Sequence, residues 1–131
     1  MVDWFVALLA VAAGLPAPSE ALLGTWINSD SSVAVEVTPC SGLICGTVVR
    51  ASPSAEQDAR KGGVTRMVGT NVLTGFRPAG PGRWSGKVFV PERGRTLRST
   101  LTMIDPKHIR VEGCILGGLI CQHEIWHRAP A

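Results

Sequence analysis

The side chains able to do chemistry are few, and most of them fall late in the chain. His108, His123 and His127 are the only histidines, and with Glu112 they could offer imidazole nitrogens and a carboxylate to a transition metal. His123 is followed directly by Glu124, a pairing that suggests acid–base work. Neighbours on a strand point to opposite faces, however, so the two would not converge. Four cysteines stand in two close pairs, Cys40 with Cys45 and Cys114 with Cys121. Neither pair has the two-residue gap of a zinc knuckle. There is no Gly-x-Ser-x-Gly elbow, phosphate loop or His-Glu-x-x-His helix. Glu36, Glu112 and Glu124 lie in strand-like runs without the cleft that a pair of glycosidase carboxylates needs. The residues therefore point away from an enzyme and call for no cofactor. Metal handling through His108, His127, His123 and Glu112 is kept as a minor reading.

The elements that would position these groups begin with a leader. The run Trp4–Leu15 carries no charge, and it is shorter than the roughly 20 residues that span a bilayer. Its length suits the apolar core of a secretory signal, although no Lys or Arg precedes it. Small side chains in Ser19-Glu20-Ala21 place the expected cut after Ala21. Residues 1–21 then form the signal and 22–131 a single domain. The cut removes Asp3 and Glu20, so 13 cations face 8 acids and the charge rises from +3 to +5. These charges are dispersed and accompany no nucleic-acid motif, so no nucleic-acid partner is expected. A periplasmic or secreted location follows, with no membrane span after cleavage. In that compartment an even cysteine count reads as a disulfide framework. Four cysteines allow three pairings. The local one, 40–45 and 114–121, is favoured because each pair brackets a turn between two strand-like runs.

Beyond residue 21 the apolar pattern alternates with period two. Candidate strands are Gly24–Asn28, Ser32–Thr38, Leu43–Ala51, Met67–Arg77, Arg83–Val90, Thr96–Ile104, His108–Gly113 and Leu119–Arg128, separated by turn-forming clusters. Ser52–Arg66 is the longest connection, expected to hold a short helical turn or to be mobile, and it could act as a lid. Eight strands with short turns predict an all-β, antiparallel up-and-down barrel, which removes exposed sheet edges.

Turn positions set registers. If Cys40 opposes Cys45, Val37 faces Val48. The turn Pro91–Gly94 makes Val90 face Arg95, Val88 face Leu97 and Trp84 face Leu101. If Cys114 opposes Cys121, Ile109 faces Trp126, Val111 faces Glu124, His108 faces His127 and Glu112 faces His123. Each hairpin then gathers its large apolar residues on one face. The inner set comprises Trp26, Val33, Val35, Val37, Val48, Val72, Phe76, Trp84, Val88, Leu97, Leu101, Met103, Ile109, Val111 and Trp126. The same register turns Gln122, Glu124 and Arg128 inward. A buried carboxylate needs a partner, which Arg128 could supply, and an exposed Glu124 would argue against the register.

Gly24-Thr25-Trp26 opens the first strand and Arg128 closes the last. This resembles the calycin arrangement of lipocalins, in which a Trp near the start packs beneath an Arg from the barrel's end. Over the whole mature part the chain is similar to the bacterial exported family called domain of unknown function 2147. The resemblance is carried by Gly24-Thr25-Trp26, Cys40…Cys45-Gly46, the stretch from Trp84-Ser85-Gly86 to Pro91-Glu92-Arg93-Gly94, Gly113-Cys114, and Cys121…Trp126-His127-Arg128. The family often has a Tyr and an acidic or amide residue before that Pro. Here Phe89 and Val90 stand there, and Leu97 replaces another frequent Tyr. The resemblance implies a small exported barrel and brings no agreed activity. The leading expectation is a binding barrel for an unidentified small apolar or amphipathic molecule, with Trp26, Phe76, Trp84, Trp126, Glu124 and Arg128 as floor or lining. The alternative is a filled barrel that docks or inhibits an envelope protein.

Overall fold

Alternation of apolar and polar residues becomes strand wherever turn residues bound it. In the computed structural model, which describes residues 19–130, the strands are β1 (Gly24–Ile27), β2 (Val33–Cys40), β3 (Leu43–Ala51), β4 (Asn71–Gly80), β5 (Arg83–Val90), β6 (Arg95–Asp105), β7 (His108–Ile115) and β8 (Ile120–Arg128). Each pairs antiparallel with the next, and β8 returns to β1, closing an eight-stranded barrel. The apolar run Trp4–Leu15 lies outside the described residues. No helix among those described is long and apolar enough to cross a membrane.

Antiparallel order puts alternate turns at opposite ends. The turns after β2, β4 and β6, with the entering 3-10 turn Ser19–Leu22, form the floor. The turns after β1, β5 and β7 and the long β3–β4 connection form the mouth. Every member of the expected inner set is buried or half-buried. The β5–β6 and β7–β8 registers are those derived above, including Trp84↔Leu101, Ile109↔Trp126, Val111↔Glu124 and Cys114↔Cys121.

Three expectations are corrected. Cys40 opposes Leu43, not Cys45, and Val48 faces Val35 rather than Val37. The cause is the two-residue turn Ser41-Gly42, whose φ values of 51° and 80° are both positive, as a type I′ hairpin requires. The shift is two residues, so each side chain keeps its face. Cys40 and Cys45 still sit at disulfide distance, as do Cys114 and Cys121.

The second correction concerns the long connection, which holds a true helix, α1 (Pro53–Lys61). Ser52 caps it by accepting the Ala55 N–H at 3.1 Å, and Pro53 occupies the first turn, where its missing N–H costs nothing. Third, Met67–Thr70 is a turn rather than the start of a strand. Val48 bonds across it in both directions, its N–H to the Thr70 carbonyl and its carbonyl to the Gly69 N–H.

The floor is filled. Trp26, Phe76, Trp84, Leu22, Leu73, Leu101 and Ile109 are all at most 1% exposed. The Trp26 indole N–H donates to the Leu22 carbonyl at 2.8 Å, and that of Trp84 to the Ser19 hydroxyl at 3.2 Å. The Arg128 guanidinium lies 4.2 Å from the centre of the Trp26 ring. It donates to the carbonyls of Ala21, Leu23 and Pro106 at 2.6, 2.7 and 3.0 Å. A Cβ at Gly24 would come within 2.9 Å of this guanidinium, so the glycine of Gly-x-Trp makes room for the arginine.

Candidate functional site: the mouth cavity

Above the packed floor the barrel is hollow. A cavity of about 440 Å3 opens at the mouth between the β1–β2 turn, α1 and the β5–β6 turn. Its inner wall is apolar, built from Val35, Val72, Val88, Leu97, Val111 and Trp126. These are the strand positions that alternation turns inward, and with Trp126 and Phe89 the aromatics of the lining the space between them stays open. A volume of this size falls in the range of small-molecule sites. Helix α1 presents Ala59 to the core and lies against the Pro91–Arg93 turn, roofing one side of the opening.

The other side is low because β1 is short. It meets β8 at only two positions, Trp26↔Arg128 and Ile27↔His127. Above them, Ile120–Ile125 has register partners on β7 alone and is exposed throughout. This explains Glu124. Its register is the one expected, facing Val111 on the inner side, yet the residue is exposed. The inference from exposure to a wrong register therefore fails, since at this height the inside of the barrel is itself wet. Nor is Arg128 its partner. The Trp126 indole N–H donates to Glu124 Oε1 at 2.5 Å, while Arg128 is committed to the floor.

The candidate residues thus divide. Trp126 and Glu124 line the cavity, with Gln122 beside them. Trp26, Phe76, Trp84 and Arg128 belong to the floor beneath. The histidines are at the positions that alternation turns outward, paired as expected, His108↔His127 and Glu112↔His123, and His123 also borders the cavity where β8 stands beyond β1. His108, His123 and Glu112 have local partners. His108 Nδ1 lies 2.9 Å from Asp105, whose carboxyl is held below its usual range first by that hydrogen bond and then by the Lys107 N–H. Glu112 pairs with Arg110 at 3.2 Å. No group of three or more His, Cys, Asp or Glu side chains placed to hold a metal occurs among the described residues.

Several lining groups were not singled out from the sequence. Asp30, Asp58, Glu92 and Arg93 ring the opening. Asp30 caps its own turn, and hydrogen bonds from Ser32 hold its carboxyl below the usual carboxylate range. A signal for the ring was available, because the first, third, fifth and seventh connections of an up-and-down barrel share one end. Ser99 is a different case. It is 4% exposed, lies in one cross-strand row with Gly113 and Gln122, and its hydroxyl has no hydrogen-bond partner within the protein.

Residues 24–128 match the model of the family described as "Uncharacterized protein conserved in bacteria (DUF2147)". No curated protein matches the chain. Among solved structures the barrel is similar to protein HP1028 from the human pathogen Helicobacter pylori, described as belonging to the lipocalin family. The identity is 13%, the TM-score is 0.64, and 83% of each chain is covered. At that identity the likeness speaks to the fold alone.

Proposed function

The chain belongs to the DUF2147 family, and from that footing we propose that it is a non-enzymatic binding barrel that takes a small apolar or amphipathic molecule into the upper half of its interior. One observation carries this reading: the inner face of a closed barrel is packed below and open above, with an apolar inner wall and a polar rim around about 440 Å3. Filling such a wall removes apolar surface from water at roughly 25 cal/mol per Å2, which is the driving force the site offers. Helix α1 is the roof that such a ligand would pass.

The test is native mass spectrometry of the protein from the cell envelope, followed by titration with an apolar fluorescent dye. A co-purified small mass, or one dye per chain displaced by narrowing the cavity with Val111→Trp, supports the reading. A bare mass with no dye uptake overturns it.

Export is part of the proposal, supported by the two cysteine pairs at disulfide distance. Fractionation and the intact mass of the exported chain test it together. The mass also locates the cut, since cleavage after Ala21 would remove Ser19 and the Ala21 carbonyl from the floor.

A second reading, docking to an envelope protein, is favoured by the β7–β8 hairpin tip. Leu116, Leu119 and Ile120 are 67%, 85% and 50% exposed there, beside the Cys114–Cys121 pair. Exposed apolar side chains grouped at one tip are a common mark of contact surfaces. Replacing Leu116 and Leu119 with Ser should abolish a pull-down partner if this reading holds.

A further inference from the structure

The cavity and the chain carry opposite signs. The chain has a formal charge of +3, yet the carboxylates lining the opening, Asp30, Asp58, Glu92 and Glu124, are met by Arg93 as the one permanent cation of the lining, with Lys61 outside it paired to Asp58 at 3.4 Å. Glu124 is the innermost of these in the barrel wall, on the inner face of β8 between Gln122 and Trp126. Only one of its oxygens is engaged, Oε1 by the Trp126 indole, and among the described residues no Lys or Arg is within ion-pair distance. A ligand that covers the inner face of β8 strips part of the water from that exposed carboxylate. A neutral ligand leaves the stripped charge uncompensated, and an anionic one adds repulsion. A cation offsets the loss, and the indole lining the same cavity adds an aromatic surface for it.

Resting on the reading of the cavity as a ligand site, we infer that its ligand is an organic cation with an apolar tail, the positive group at Glu124 and Trp126 and the tail against Val88, Leu97 and Val111. The same arrangement disfavours fatty acids and other anionic amphiphiles of equal length. The ring of rim carboxylates raises the local concentration of such a cation at low ionic strength.

Three probes of one tail length separate the possibilities: octyltrimethylammonium, octanol and octanoate, each titrated calorimetrically into the full exported chain below micelle formation. The ammonium should bind about tenfold more tightly than octanol, equivalent to about 1.4 kcal/mol, with octanoate weakest. Glu124→Gln, which keeps an acceptor for the Trp126 N–H, should bring the ammonium-to-octanol ratio close to one. Added salt should shrink the ratio in the parent protein. Octanol binding as tightly as the ammonium, or a ratio that survives Glu124→Gln, overturns the cation inference while the binding barrel stands. Absence of binding by all three overturns the binding barrel as well.

Discussion

Floor and mouth are built from the same eight strands and the same alternation, yet they end in opposite states. At the floor three aromatic side chains, Trp26, Phe76 and Trp84, converge and leave no space, and the indole and guanidinium donors there find acceptors on the entering chain. At the mouth most of the inward apolar residues are valines and a leucine, Trp126 on one side leaves the space open, and β8 rises past the end of β1 with both faces wet. The difference lies in side-chain volume and in the length of one strand, with topology held constant. An eight-stranded barrel has an interior just wide enough to be filled by side chains or to hold one small ligand. In this chain the lower half is filled by side chains and the upper half is open.

The comparison can be broken by substitution. Trp26→Ala leaves a cavity in a closed region and should cost about 3–5 kcal/mol, whereas Trp126→Ala, beside space that is already open, should cost about half as much. Urea unfolding of both variants measures this, and equal losses would mean that the mouth is as tightly packed as the floor.

Next in size is Arg128→Lys. It keeps the charge but loses the planar fork that reaches Ala21, Leu23 and Pro106 at once. A loss of about 2 kcal/mol with ligand binding retained is expected. Lost binding at unchanged stability would contradict the division into halves.

The smallest effect concerns the boundary. Ser99→Ala deletes a buried hydroxyl without a protein partner, and should leave stability unchanged or raise it by up to about 1 kcal/mol. A clear loss would show that the hydroxyl is satisfied by a molecule from the cavity above.

Most of the fold could be read from periodicity, because one face of each hairpin had to be apolar. The β5–β6 and β7–β8 registers followed from their turns, and the pairings of His108 and Glu112 followed with them. The β2–β3 register differs by two residues from one that sets the cysteines opposite each other, because Ser41-Gly42 governs the turn. A disulfide accepts diagonal partners, but a two-residue hairpin does not accept another register. Helix α1 is written in capping signals, Ser52 followed by Pro53, and the apolar residues of its core-facing side are only small alanines, so apolar periodicity does not reveal it. Glu124 was placed on the right face and given the wrong environment. Alternation says which way a side chain points, not whether the space it points into is filled. That depends on the summed volume of residues far apart in sequence.

The joining of β1 to β8 has a consequence in time as well as in shape. Every other strand pair is contiguous in sequence and can form as a local hairpin, but Arg128 reaches carbonyls 105 and 107 residues away. The ordering entropy of that contact is lost in one step, and two residue pairs, one guanidinium and the hydrogen bond from the Ala129 N–H to the Thr25 carbonyl repay it. The seam therefore closes after the hairpins have formed, and weakening it quickens unfolding more than it slows folding. The barrel's lifetime is set at its floor, in the grip of the last strand on the first.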